Sequence, residues 1–200
     1  MAKMQKAIVY KGPGHFAYED RPIPEIKDNN DVKIRSYGCS VCGTDVNIFA
    51  TPQKHPCKPD IIFGHEFGGE VAEVGEGVTN LKPGDKVVID PHGPCGECEN
   101  CRQGHYNLCP NREVVGSYRN RQGVFAQYVA IPQRHLYHIP EGLSLEEAAL
   151  AEPAATAMYA VTKAQIPAGA QVLVIGDGPI GQLAAQLANI AGASRVIMAG

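Results

Sequence analysis

The sequence predicts a mixed fold, with a β-rich part first and an α/β part after it. Before Gln171 the chain is a succession of short, often β-branched runs separated by Gly- and Pro-containing turns, the pattern of an all-β domain. From Gln171 onward a continuous apolar run, a Gly-rich turn, a helical apolar pattern and a second apolar run follow one another, which is the order strand, turn, helix, strand. Within the first part, the stretch from Cys95 to Cys109 reads as a metal-binding lobe.

The chain has 200 residues, 44% of them hydrophobic and 20% charged, ordinary values for a globular protein. A net charge of −3 gives no reason to expect nucleic acid or an anionic membrane as partner. No apolar run is long enough to span a bilayer, and Met1-Ala2-Lys3-Met4 leads into a strand-like run, not a signal-peptide core. Seven cysteines, four of them in a metal spacing, suit a reducing cytoplasm. No internal repeat, heptad or low-complexity segment is present.

Taken in order, Lys6 to Tyr10 is a β-branched run turned back by Gly12-Pro13-Gly14 into Phe16 to Glu19. Pro22 and Pro24 hold an extended segment, and Val32 and Ile34 alternate with Lys33 and Arg35 as in a half-buried strand. Ile61 to Phe63, Glu66 to Val74 and Val87 to Ile89 continue the series, with tight turns at Gly75-Glu76-Gly77 and Lys82-Pro83-Gly84-Asp85. Two more strands are expected over 123–132 and 136–140. Ser144-Leu145-Glu146-Glu147 is a capping box that opens an Ala-rich helix, which Glu152-Pro153 is expected to interrupt because Pro disfavours helical geometry in the residue before it.

The cysteine stretch is spaced C-x2-C-x2-C-x7-C, with Cys95, Cys98, Cys101 and Cys109. Each C-x2-C step presents two thiolates to one ion, and the fourth cysteine closes a tetrahedron. Four thiolates leave no open position, so the expected role is structural. Bacterial ferredoxin spacing requires x3 before the last cysteine, and disulfides do not suit a chain without a signal peptide.

Three further places carry polar chemistry. Cys39 and Cys42 form a lone C-x2-C, and Cys39 and Cys57 read as small buried hydrophobes. Gly64-His65-Glu66 enters a Gly-rich strand at its edge. Glu152 lies in an apolar stretch, where a carboxylate is costly unless paired; a helix-end, solvent-facing Glu is the bland reading.

Val172 to Ile175 is a continuous apolar run, as in a parallel strand buried on both faces. Gly176-Asp177-Gly178-Pro179-Ile180-Gly181 comes directly after it, placing G-x-G-x-x-G between strand and helix. Gly176 allows the turn, Gly178 lets backbone approach a pyrophosphate, and Gly181 lets the helix pack on the strand. With Pro179 and Ile180 they form a helix N-terminus whose free N–H groups suit the phosphates of a dinucleotide.

In this order, Cys42-Gly43-Thr44-Asp45, Gly64-His65-Glu66, the four-cysteine stretch, Glu152-Pro153 and the late G-x-G-x-x-G resemble the zinc-dependent medium-chain alcohol and polyol dehydrogenases, over the whole chain. Glu152-Pro153 and Tyr106-Asn107-Leu108-Cys109-Pro110 look most like the sorbitol, iditol and galactitol-phosphate branch, and Gly116-Ser117 with the segment to Ala130 looks closer to its phosphate-polyol members. The resemblance implies a GroES-like β-barrel catalytic domain over residues 1–160, an incomplete Rossmann NAD(P)-binding domain over 161–200 and substrate in the cleft between them. It implies two zinc ions per chain, one structural and one catalytic. Cys42 and His65 are then catalytic zinc ligands, with the third ligand left between Glu66 and Glu152. Thr44 matches the hydroxyl that begins the proton relay, and Asn47 stands where many relatives carry a histidine. One thiolate with a carboxylate leaves the metal less electron-rich than two thiolates would, which suits chelating polyols. The reaction implied is hydride transfer between a secondary alcohol or polyol and NAD or NADP, by a cytoplasmic homodimer or homotetramer.

Two departures qualify that picture. Family members continue well past the position of Gly200, so turnover by this piece alone is not expected. Gly200 also stands where an Asp or Glu normally accepts from the adenosine ribose; glycine neither accepts there nor repels a 2′-phosphate, which tilts the expectation to NADP. Competing readings are an L-threonine 3-dehydrogenase-like enzyme and a zinc-stabilised binding module without catalysis, which predicts one zinc and no cofactor. A zinc-free reductase of the same fold would lack the Cys42, His65 and Glu152 set.

Overall fold

Alternation along the chain dictates the first hairpin. β1 (Met4–Gly12) buries Gln5, Ala7 and Val9 at alternate positions, and β2 (His15–Pro22) returns antiparallel to it with Tyr18 opposite Ile8. The computed structural model describes residues 2–116 and 120–200, Asn120 in its backbone only. Ser117, part of the string that looks like the phosphate-polyol members, lies outside them. After the Pro-rich segment come β3 (Asp31–Ser40), helix α1 (Gly43–Phe49), β4 (Ile61–Ile62), β5 (Glu66–Val74), β6 (Lys86–Ile89) and β7 (His92–Gly93). The cysteine lobe holds α2 (Glu99–Arg102), and β8 (Glu113–Val115), β9 (Asn120–Arg121), β10 (Tyr128–Pro132) and β11 (Leu136–His138) follow. The last elements are α3 (Leu145–Ala148), α4 (Ala151–Ala164), β12 (Gln171–Ile175), α5 (Pro179–Ile190) and β13 (Arg195–Ala199).

The chain divides into two compact units, Met1–Ala149 and Leu150–Gly200. Helix α4 therefore belongs to the second unit, because it packs against α5, and the boundary falls before the one expected at residue 160. In the first unit a five-stranded sheet runs β10-β3-β5-β6-β11, beside sheets β2-β1-β4 and β7-β8-β9. Its apolar face forms the main core, with Val32, Ile34, Phe67, Val71, Val87, Ile89, Val129 and Ile131, closed by Val115 and Val124. Burial of each such side chain contributes roughly 1.5–3 kcal/mol.

A second core is aromatic. Phe16 stacks on Phe49 at 4.8 Å and meets Phe63 edge-on at 4.7 Å, and Tyr10 packs edge-on against both Phe16 and Phe63. This ties the β1–β2 hairpin, the end of α1 and the residue after β4 together. Cys57 is partly buried against this cluster, in keeping with its reading as a small apolar side chain. Cys39 differs: the residue is exposed, though its thiol donates to the Val124 carbonyl at 3.4 Å.

Two local expectations are corrected. Regular pairing in the strand expected over 123–132 begins only at Tyr128. Gly123, Val124 and Phe125 instead donate their N–H groups to Ile62, Gly64 and Phe63, so this segment is bonded to the stretch that enters His65. The helix interruption expected at Glu152-Pro153 falls at Ala149–Leu150 instead. Pro153 stands in the first turn of α4, where its missing N–H has no intrahelical partner to lose. In the second unit β12 pairs parallel to β13, and α5 packs on the pair. No helix among the described residues is long and apolar enough to cross a membrane.

Candidate metal centres and phosphate-binding turn

The four-cysteine lobe folds as its spacing requires. Cys98 precedes the short helix α2, Cys101 lies within it, and Cys109 follows a single turn of 3-10 helix at Tyr106–Leu108. The sulfurs converge: Cys98–Cys101 3.4 Å, Cys95–Cys109 3.6 Å, Cys98–Cys109 3.9 Å and Cys95–Cys101 4.0 Å. A tetrahedron with ~2.3 Å Zn–S bonds has edges of about 3.8 Å, so this donor set fits one zinc ion. All seven cysteines are free, with no disulfide. N–H groups of Glu97 and Cys98 pull the Cys95 thiol down to about 7, whereas burial pushes Cys101 up to about 12. Metal binding here must therefore displace protons.

The second centre is assembled from separate elements. Cys42 is the N-cap of α1, its sulfur accepting from the Thr44 N–H at 3.4 Å. Asp45, three residues on, accepts from the Cys42 N–H at 2.9 Å through Oδ2, which completes a capping box and fixes where the thiol stands. His65 follows Gly64, whose φ is +89° and where a Cβ would fall 2.4 Å from the Phe125 ring. Only glycine suits that backbone and that space. Glu66 opens β5 opposite Ser40 of β3, and the Ser40 hydroxyl donates to Glu66 Oε2.

The sequence-predicted residues Cys42, His65 and Glu66 thus come together: one donor atom from each lies within 4.8 Å of the others. Both His65 and Glu66 are buried. Thr44 is half-buried in the first turn of α1 beside Cys42, and Asn47 is exposed on the same helix. Glu152 stands half-buried in the first turn of α4, in the second unit.

Two residues enter this centre that the sequence reading gave no role. Asp45 is buried, and its Oδ1 has no hydrogen-bond partner among the described residues but lies 3.7 Å from His65 Nδ1. Burial raises the Asp45 pKa and the nearby His65 opposes that rise. A carboxylate facing one ring nitrogen sets the tautomer and the orientation of a metal-binding histidine. That arrangement, with a thiol and a second carboxylate alongside, fits a zinc ion. The signal for Asp45 was present as C-x2-D, a capping-box spacing with an unusual Cys cap. Ser40 carried no sequence signal, because its importance lies in strand register.

In the second unit, Gly178 is the N-cap of α5 and Pro179 its first residue, a helix start suited to Pro. Gly176 has φ +118°. A Cβ on Gly181 would fall 1.9 Å from the Gly176 carbonyl oxygen, so glycine is required for the close packing of turn on helix. Ile180 is 44% exposed on the first turn. Asp177 lies against Gly200, its Cγ 2.4 Å from where a Cβ there would be.

Residues 28–141, more than half of the chain, match the family model of the alcohol dehydrogenase GroES-like domain, and the chain belongs to that family. Its likeness to the zinc-dependent medium-chain alcohol and polyol dehydrogenases is borne out by its relatives. The sorbitol dehydrogenase of Halalkalibacterium halodurans is 40% identical over 195 residues, 96% of this chain and 55% of that protein. A protein described as a zinc-binding dehydrogenase of Sinorhizobium meliloti, solved bound to NADP, superposes with a TM-score of 0.92 at 36% identity, covering 98% of this chain and 56% of that one. The galactitol-1-phosphate dehydrogenase of Escherichia coli gives a TM-score of 0.90 at 33% identity, over 96% of this chain and 55% of that one. The chain spans about half the length of the curated relatives it matches.

Proposed function

We propose that the chain carries the metal centre and the start of the dinucleotide-binding part of a zinc-dependent oxidoreductase, which moves a hydride between a secondary alcohol or polyol and NAD(P). The observation that carries this is the convergence of Cys42, His65 and Glu66, apart from the four-thiol cluster. Cys42, His65 and Glu66 would hold the catalytic zinc, and Cys95, Cys98, Cys101 and Cys109 the structural one. Zinc, when bound, supplies Lewis acidity that lets an alcohol lose its proton near neutral pH.

The chain's own residues do the rest. Asp45 orients the His65 ring and caps α1, while the Thr44 N–H holds the Cys42 sulfur. Thr44 Oγ1 receives the alcohol proton and passes it on; Asn47 cannot ionise, so the relay leaves through water. Of the two carboxylates, Glu66 is our choice as resting ligand, because its oxygen lies with the other two donors. Gly176, Gly178, Pro179, Ile180 and Gly181 take the pyrophosphate of the nicotinamide cofactor. Glycine at position 200 carries no carboxylate to repel a 2′-phosphate, but the Asp177 side chain fills the space beside it and its charge opposes one; glycine at position 200 therefore does not by itself select NADP.

Purified protein is expected to hold two zinc equivalents, one of which Cys42→Ser removes. A single equivalent, unaffected by Cys42→Ser, would overturn the proposal. Loss of that ion in Glu152→Gln but not in Glu66→Gln would transfer the ligand role to Glu152. A panel of polyols, polyol phosphates, threonine and butanediol, each offered with NAD and with NADP, tests the substrate class, and light scattering tests the dimer or tetramer.

A further inference from the structure

We propose that Ser40 is the positioning residue for Glu66, fixing the carboxylate through which the Cys42–His65–Glu66 centre grips its metal. The inference deepens the function proposed above and rests on the reading of that centre as a metal site. Ser40 and Glu66 are direct partners across β3 and β5. The Ser40 hydroxyl donates to Glu66 Oε2 and also lies 3.5 Å from the Ala149 carbonyl oxygen. A hydroxyl has one proton to give, and a carboxylate is the stronger acceptor of the two.

The neighbouring register explains how this corner is built. Two residues away along each strand, Gly38 pairs with Gly68. A Cβ on Gly68 would fall 2.1 Å from the Leu145 carbonyl oxygen, and one on Gly38 would fall 3.1 Å from the Glu146 Cα. The glycine pair therefore seats α3 directly on the two strands, and this brings Ala149, its C-cap, up to the Ser40 hydroxyl. Glu66, 4% exposed, is enclosed in that corner. Its terminal torsion is otherwise soft, and the Ser40 bond to one oxygen fixes the plane of the carboxylate. Partners of this kind, acting one shell out from the metal, set affinity by roughly 10- to 100-fold.

The test compares Ser40→Thr with Ser40→Val, which match in shape and differ in the hydroxyl. Cobalt(II) and zinc affinities are read by competition with a chromophoric chelator, and the trio's own thiolate-to-cobalt absorption is isolated by subtracting the Cys42→Ser spectrum. Ser40→Val is expected to weaken metal binding at the trio roughly 10- to 100-fold and to shift its cobalt bands, while Ser40→Thr retains both and the melting temperature and the four-thiol lobe are unchanged. In a Glu66→Ala background the Thr and Val variants are expected to bind equally. Equal affinities for Ser40→Thr and Ser40→Val in the otherwise native chain would overturn the proposal, as would an undiminished difference after Glu66→Ala. A native protein with no Cys42-dependent cobalt band would instead remove the metal reading itself, and this proposal with it.

Discussion

The two clusters of candidate metal ligands in the first unit are built in opposite ways. The four thiols come from one short stretch, Cys95 to Cys109, and meet one another directly. Cys42, His65 and Glu66 come from a helix cap, a glycine turn and a strand, and each is held by a neighbour: the Thr44 N–H, Asp45 and Ser40 in turn. The first is a local closure that needs only its ion. The second depends on the fold around it and brings together three donors where the lobe brings four. The lobe should therefore fail as a piece of structure, and the trio as a piece of chemistry.

The largest effect expected is on the lobe. Cys101→Ser should lose the structural ion and on the order of several kcal/mol of stability, measured by zinc analysis and guanidinium unfolding; unaltered unfolding would break the contrast. His65→Ala should come next, losing the other zinc equivalent while keeping the lobe's, with the melting temperature close to native. If it melts as low as Cys101→Ser, the trio too is structural.

Asp45→Asn sharpens the comparison further. Asparagine can still accept from the Cys42 N–H, but it removes the charge facing His65. Metal affinity at the trio should fall by about 10-fold or more without loss of the cap, as read by chelator competition and by circular dichroism. The smallest effect is expected far from both clusters. Arg21 first and Lys11 second hold the Asp60 carboxyl down to about 2. Because that value lies below the unfolded one of about 3.9, the stabilisation is present above pH ~4 and is lost as pH falls towards 2. The Asp60 side chain is 63% exposed, so Asp60→Asn should blunt acid unfolding only slightly, with both zinc ions retained at neutral pH.

What could be read from the sequence follows the same divide. The lobe's spacing, the strand over Glu66–Val74, the Ser144 capping box and the turn from Gly176 to Gly181 are all contiguous signals, and all appear where expected. Cys42 and His65 came only from resemblance, which left the third position open between Glu66 and Glu152, since no local pattern brings residue 42 to residue 65. Helix α1 escaped notice because it is seven residues long and begins at a cysteine, which is not among the usual caps. Ser40 was invisible because β3 has two register shifts before it reaches Glu66, and register is a property of the pair of strands.

The aromatic cluster has a consequence for how this chain can diversify. Phe49 closes α1 just downstream of Cys42, and Phe63 immediately precedes the Gly64 turn; both rings rest on Phe16. The loop that joins them is thus anchored at both ends on one ring, Phe16, by stacking at Phe49 and by an edge-on contact at Phe63. Residues can be inserted between these anchors without moving Cys42 or His65, provided Asp60 keeps its ion pairs with Lys11 and Arg21 and Ile61–Ile62 keep their pairing with β1.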